Sequence, residues 1–230
     1  MSWHGRVGAR TIGNSSYPRP VIRHGTYEYP SETANGAVSF WKSTSSLAAP
    51  DIQQLMAEGS RFRPETSARF NPPVNSWTIS GLGVSPKSRG QLRLTGPNPL
   101  DRIQIEANML SHPDDLKAAI AAVELCREIG NSRALKPYAK REVMPGNLKG
   151  AELENFVRDA ARSTWHQTCT AKMGRDSMSV VDADLKVYGI EHLRIADGSI
   201  MPRVTTGNTM APCVIIGERA GEILTGEHKI

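Results

Sequence analysis

The stretch that decides the fold is residues 193–224, which read LRIADGSIMPRVTTGNTMAPCVIIGERAGEIL. Residues 193–198 are predicted to form a strand that ends in Asp197-Gly198, and Ala211-Pro212 opens a final helix. In open α/β sheets, ligands sit beyond the carboxyl ends of strands and near helix N-termini, whose free amides attract anions and electron-rich rings. A plainer interpretation stays open at this point, in which Asp197-Gly198 is only a turn and Asn208 only a helix cap.

Upstream of this stretch, the patterns predict a mixed or antiparallel sheet with helices. Strand-like alternation occurs at 37–41, 76–80, 91–95 and 103–107. A helix is predicted to start at the capping residue Ser111, with an early proline and acids in its first turn, and to stop at Gly130-Asn131. Its apolar residues share one face, so Cys126 is expected in the core. A second helix is predicted over 151–165, and a short strand over 180–182.

The chain is expected to divide into three parts. Residues 1–35 are rich in Gly, Ser, Pro and Arg and lack an apolar period, which predicts a loop-rich arm. Residues 36–165 carry the sheet and two helices and are expected to form one domain. Residues 166–230 are expected to form a second, ending in the last helix. A length of 230 residues is sufficient for one or two domains.

Composition excludes several classes of protein. The formal charge of +5 comes from 28 basic and 23 acidic side chains that are scattered along the chain, with no zinc-finger or RNP-like pattern, so nucleic-acid binding is not expected. No apolar run approaches the roughly 20 residues of a membrane span, and the first ten residues lack the apolar core of a signal peptide. The three cysteines are too widely spaced for a disulfide framework or a CxxC zinc pattern. These features predict a soluble, cytoplasmic protein in a reducing compartment.

His166, with Cys169 three residues later, is open to three interpretations on its own. A metal site needs further ligands, and His192 and Cys213 show no ligand spacing, so no metal is predicted. A thiol nucleophile needs a lowered cysteine pKa, which nothing in the sequence indicates. An isolated histidine is usually structural.

Several sequence segments considered together favour one interpretation of His166. The segments are 165–174 (WHQTCTAKMG), 193–202, and 207–212 (GNTMAP), and upstream 86–94 (PKSRGQLRL), 108–116 and 144–146. In this order they resemble the C-terminal signature of the glucose-methanol-choline (GMC) oxidoreductases. The resemblance covers residues 36–226 and is most specific from Pro86 onward.

The resemblance implies FAD-dependent oxidation of a small-molecule alcohol. It places His166 on the family's histidine base and Asn208 on the second site residue, which orients the hydroxyl. Asp197, Gly198, Thr209 and Met210 fall on segments that meet the flavin. It also implies that 36–165 is a substrate-binding domain and that 166–230 is the last strand and helix of a Rossmann-like FAD domain. A histidine suits the role because loss of the hydroxyl proton eases removal of a hydride from the alcohol carbon.

The chain departs from the family pattern at Gln167 and Cys169, in lacking a proline common in the Asp101-Arg102 region, and in lacking a dinucleotide-binding turn. Gln167 and Cys169 stand where the family usually has proline and glycine, and Cys169 is expected to fill space or to line the site. The GxGxxG turn that cradles a dinucleotide is absent, so a separate N-terminal FAD-binding half or subunit is expected as a partner. Two alternatives remain: a non-catalytic remnant or interaction module, and a flavin-dependent lyase on the same fold.

Overall fold

The computed structural model describes residues 2–4, 37–58, 64–73 and 76–228, within which the chain divides into two units. One unit combines Met1–Gly83 with Leu116–Ala160, and the other combines Val84–Asp115 with Ala161–Ile230. Residues 84–115 therefore group with the C-terminal region, whereas the sequence-based division kept them in the preceding domain. The functional names given to the domains stay predictions.

An antiparallel five-stranded sheet dominates the first unit. Its strands are β1 (Ser2–His4), β2 (Ala37–Trp41), β3 (Ile52–Glu58), β4 (Ser76–Gly83) and β7 (Arg141–Met144). The strands β5 (Gln91–Arg93) and β6 (Gln104–Glu106) belong to the second unit. The sheet has the order β2-β3-β4-β1-β7, with every neighbouring pair antiparallel. The expectation of an antiparallel sheet with helices is thus confirmed.

Four α-helices accompany these strands in the described residues. They are α1 (Pro64–Phe70), α2 (Pro113–Gly130), α3 (Gly150–Ala160) and α4 (Met210–His228). From Leu116 onward α2 packs on the sheet, and a β-carbon at Gly81 would lie 2.7 Å from Cβ of Ala122, so the helix can approach this closely only at a glycine. Cys126 joins the buried cluster with Trp77 and Ile79, and burial raises the pKa of its thiol to about 11. Its predicted place in the core is confirmed.

The second unit has a smaller sheet and a separate apolar core. Strands β5 and β6 pair antiparallel, with Leu92 opposite Ile105. The core is formed by Val181, Leu185, Ile200 and Ala220. Helix α4 packs Ile216 and Ile223 against this cluster as well as Ala220, at the spacing of one helical face. This packing fixes α4 against the segment that precedes it.

Several sequence-based predictions are wrong in detail. The strand predicted at 193–198 is absent, since that segment forms one isolated bridge, between Arg194 and Lys186, before a 3-10 turn at Gly198–Ile200. The strand predicted at 180–182 is likewise reduced to bridges of Val181 with Met173 and Val187. In both segments hydrogen bonds run between loops instead of forming a strand ladder, which the local sequence did not indicate.

Three further boundaries differ. Helix α2 begins at Pro113, and the residue before it, His112, accepts the backbone N–H of Asp114 on Nδ1, so His112 rather than Ser111 caps the helix. Helix α3 ends at Ala160, five residues before the predicted end. Residues 2–4 of the predicted arm are strand β1, while the rest of the arm lies outside the described residues.

Within the described residues, no helix combines the length and apolar character that a membrane crossing requires. The three cysteines, Cys126, Cys169 and Cys213, are free thiols in this structure.

Candidate functional site

His166 lies in the loop that follows α3 and is held by short-range contacts on both sides. The hydroxyl of Ser163 accepts the backbone N–H of Trp165 at 3.1 Å and also the side-chain amide of Gln167. Trp165 has a positive φ of 61°, and Cys169 has a positive φ of 74°. Such values are uncommon outside glycine, so the loop turns sharply both before and after the histidine. His166 itself is half-buried.

The side chain of His166 reaches the start of α4. Its Nδ1 lies 3.0 Å from Oγ1 of Thr209, the residue that directly precedes the helix. Thr209 is buried, with 9% of its surface exposed, and its carbonyl accepts the N–H of Cys213 at 3.1 Å as the first bond of α4. A segment 43 residues away in the chain therefore positions the predicted base.

Asn208 lies next to this contact because it directly precedes Thr209 in the chain. Its side chain is exposed, and the position next to the helix belongs to Thr209, so the plainer interpretation of Asn208 as the cap does not hold. Met210, the first residue of α4, is 72% exposed. The structure thus collects three of the predicted site residues, His166, Asn208 and Thr209, and places Met210 beside them.

Asp197 and Gly198 lie next to both the loop of His166 and the first turn of α4. Oδ1 of Asp197 accepts the backbone N–H of Ser199 at 2.7 Å, which caps the 3-10 turn. The bonds from the side chain and backbone of Ser199 hold the pKa of Asp197 below its usual value. Gly198 accepts the N–H of Cys169 on its carbonyl at 3.3 Å, so the loop of His166 runs beside this turn. Asp197-Gly198 therefore forms a turn, as the plainer interpretation held. A role of these two residues in binding stays a prediction.

Sequence reasoning missed two features of this region. The hydroxyl of Thr209 contacts His166, which the sequence did not indicate, and the contact of the Thr209 segment with a cofactor stays a prediction. Cys169 has a φ of 74°, so the backbone there adopts the glycine-favoured conformation, while its predicted role of filling space or lining the site stays a prediction. The replacement of glycine by cysteine at this position was the available signal for the second feature.

The start of α4 can accept an acceptor-rich group. The amides of Met210 and Ala211, in the first turn, have no partner within the helix. No bond joins Oγ1 of Thr209 to an amide of α4 among the described residues. Nearby in the chain, Oγ1 of Thr205 is buried and has no hydrogen-bond partner in the described structure. Unused donors of this kind suit the polar edge of a flavin ring, so these residues fit FAD.

Within the part of the chain that the structure describes, no group of three or more histidine, cysteine, aspartate or glutamate side chains is arranged to hold an ion.

Comparison with known proteins gives consistent results for family and fold. The family model for GMC oxidoreductase matches residues 86–217. Mitochondrial choline dehydrogenase from Mus musculus is 44% identical over 212 residues, which is 85% of this chain and 34% of that protein.

Two solved structures resemble the chain in three dimensions. Pyridoxine 4-oxidase from Mesorbium loti superposes with a TM-score of 0.75 at 27% identity, covering 82% of this chain and 37% of that one. An FAD-dependent oxidoreductase from Chaetomium thermophilum gives a TM-score of 0.65 at 26% identity, covering 79% and 29%. The chain therefore spans about a third of the length of the proteins it resembles.

Proposed function

Because the chain belongs to the GMC oxidoreductase family, we propose that it supplies the substrate-oxidising residues of an enzyme that oxidises an alcohol with FAD. The observation that carries the proposal is the contact between His166 and Thr209, which holds the histidine against the residue that follows Asn208 at the start of a helix. The names of the mouse relative and of the two solved structures support oxidation of hydroxyl compounds and the use of FAD.

His166 is proposed as the general base. Imidazole is the side chain that most readily takes a proton near neutral pH, and the half-buried position of His166 leaves part of the ring accessible to a substrate. Removal of the hydroxyl proton raises the electron density on the alcohol oxygen, which weakens the adjacent C–H bond. Only a histidine held in place can do this efficiently, because general-base catalysis requires hydrogen-bond geometry.

Asn208 is proposed to orient the alcohol. Its exposed side chain offers an amide N–H donor and directly precedes the residue that contacts His166. A donor to the alcohol oxygen holds the substrate for proton removal and stabilises negative charge as it develops. Both functions depend on Asn208 and His166 acting on the same oxygen.

FAD would be held by the amides of Met210 and Ala211 and by the hydroxyl of Thr205, with the segment of Asp197 and Gly198 nearby in the fold. The positive end of the α4 dipole favours an electron-rich ring at this position. When bound, FAD supplies the hydride acceptor for the reaction.

An N-terminal FAD-binding half is proposed as the partner of this chain. The outer surface of α4 carries Met210, Val214 and Ile215, of which Ile215 is 67% exposed. Exposed apolar residues grouped on one helix mark a surface that another polypeptide covers. In this proposal, residues 166–230 complete a Rossmann-like FAD domain together with the partner. The domain that carries the five-stranded sheet binds the substrate.

The test is flavin reduction in the assembled enzyme. The chain is co-expressed with an FAD-binding segment of the family, and absorbance of oxidised flavin is followed anaerobically after mixing with an alcohol. Choline is the first alcohol to use, since the mouse relative is named for it. Replacing His166 by Ala is expected to slow flavin reduction by about 10²- to 10⁴-fold, the contribution of a general base.

The matched control is His192→Asn. His192 is exposed in the same unit and has a φ of 59°, which asparagine tolerates, so its reduction rate should equal that of the wild type. An unchanged rate in His166→Ala would contradict the base assignment. A colourless complex would contradict the FAD proposal, and alcohol turnover without loss of oxidised flavin would indicate a lyase.

A further inference from the structure

We infer that Thr209 is a positioning residue that fixes the tautomer of His166 and thereby selects Nε2 as the nitrogen that takes the alcohol proton. The inference rests on the proposed function of His166 as base. It assigns to the hydroxyl of Thr209 a role separate from the cofactor contact that its place in the sequence suggested.

The geometry restricts which nitrogen of His166 is available. Nδ1 is occupied by the 3.0 Å contact with Oγ1 of Thr209, so Nε2 is the ring nitrogen left for a substrate. Thr209 is poorly placed to move away, because it is buried and its carbonyl is bonded to the N–H of Cys213 in the first turn of α4. A contact anchored in this way holds both the position and the rotation of the ring.

The threonine hydroxyl can donate or accept, and the proposed role of His166 as base requires one direction of this hydrogen bond. A neutral imidazole carries its proton on one nitrogen and a lone pair on the other. For Nε2 to act as base, its lone pair must be free, so the proton must sit on Nδ1 and be donated to Oγ1 of Thr209. The opposite direction, with the threonine hydroxyl donating to Nδ1, would leave Nε2 protonated and unable to accept.

This arrangement also suits the product of proton transfer. The O–H bond of the alcohol breaks, a bond forms between that hydrogen and Nε2, and the ring becomes an imidazolium with its charge shared between both nitrogens. Nδ1 donates to Thr209 before and after the transfer. The hydrogen bond therefore needs no reorientation during the reaction and strengthens as the ring gains charge.

His112 provides a reference of the opposite tautomer within the same chain. Its Nδ1 accepts the backbone N–H of Asp114 at 3.2 Å, so the neutral ring must carry its proton on Nε2. The two histidines should therefore give opposite patterns in a measurement that distinguishes a protonated from an unprotonated ring nitrogen.

The first experiment is nitrogen NMR of the full chain labelled with ¹⁵N-histidine, at a pH where the rings are neutral. The signals of His166 and His112 are assigned by their loss in His166→Gln and His112→Gln. We expect a protonated Nδ1 at His166 and a protonated Nε2 at His112. In Thr209→Val, which keeps the side-chain shape without the hydroxyl, the His166 tautomer should change, while Thr209→Ser should retain the wild-type pattern. His112 should be unaffected, which shows that the variants are folded.

The second experiment measures flavin reduction in the assembled enzyme. Thr209→Val should slow it by about fivefold to tenfold, the population change that one neutral hydrogen bond supports, and should shift the pH profile, while Thr209→Ser restores the rate. A protonated Nε2 in wild-type His166, or a tautomer unchanged in Thr209→Val, would overturn the inference. If wild-type His166 is protonated on Nδ1 but His166→Ala reduces flavin at the normal rate, His166 is rejected as base. Thr209 would then still set the tautomer of the ring.

Discussion

Gly198 and Cys213 approach so closely that a β-carbon at position 198 would lie 3.0 Å from Sγ of Cys213. The same β-carbon would lie 3.3 Å from Cγ2 of Thr168, two residues after His166. Gly198 is therefore the point where the loop of His166 meets the first turn of α4. Packing inside the chain is sufficient to explain the glycine, and a contact of Gly198 with flavin stays a prediction.

This relationship predicts that Gly198→Ala destabilises the protein. The added methyl group forces Cys213 and Thr168 apart, and overpacking of this kind costs about 1 to 3 kcal/mol. The measurement is the free energy of unfolding of the chain in urea. Cys213→Ala removes the sulfur and should restore part of the loss, so the two substitutions together should be less destabilising than the sum of their separate effects. Additive effects would mean that Cys213 is not the residue that resists the methyl group.

Substitution of Cys169 tests the strain in the loop of His166. A non-glycine residue in the left-handed region costs about 1 to 2 kcal/mol, which is partly offset by the greater freedom of glycine in the unfolded chain. Cys169→Gly should therefore raise the free energy of unfolding by up to about 1 kcal/mol. Cys169→Val should lower it, because a branched side chain tolerates this conformation poorly. Thr170→Gly, at the next position, serves as the control and should destabilise by about 0.5 to 1 kcal/mol.

Asp115 is expected to stabilise the start of α2 in a pH-dependent way. Its carboxylate accepts the backbone N–H of Lys87 at 2.8 Å and that of Ser88 at 2.7 Å, together with the Ser88 hydroxyl. Burial raises the pKa of Asp115, but these bonds more than offset it, so the pKa lies below its ordinary value of 3.8. Asp115→Asn should cost about 1 to 2 kcal/mol at neutral pH.

The pH dependence of this loss follows from the lowered pKa. The carboxylate stabilises the fold above pH 3.8, and its contribution disappears as the pH falls through the lower folded-state pKa. The difference between wild type and Asp115→Asn should therefore shrink in acid when unfolding is followed by circular dichroism. Asp114→Asn, which removes an exposed ion pair with Lys87, is the control and should change stability much less than Asp115→Asn. An equal loss in both variants would contradict the role given to Asp115.

Local patterns were sufficient for much of the sheet and for the helices. Alternation identified β2 and β4, and the stop signal at Gly130-Asn131 matched the end of α2. Strand β3 was not predicted, because residues on both of its faces are buried and Gln53 and Gln54 are among them. A strand buried on both sides loses the alternation that identifies it in a sequence.

Strand β1 was not predicted for a different reason. Its residues, Ser2–His4, pair with β4 on one side and β7 on the other. Three residues are too few to show a period, so their conformation is set by the strands that accept their hydrogen bonds. The strand predicted at 193–198 is the converse error, since Ile195 packs against the core of the second unit without joining a sheet and Leu193 is exposed.

Residue identity and order were sufficient for the family and for the positions of the proposed site residues His166 and Asn208 in their sequence blocks. Only the tertiary structure decided that Nδ1 of His166 meets Thr209 and that Gly198 meets Cys213. Both contacts join positions remote in the chain, and they depend on how α4 packs on the Val181 core. A one-dimensional pattern carries no information about such distances, which arise from the packing of apolar side chains that the whole unit buries together.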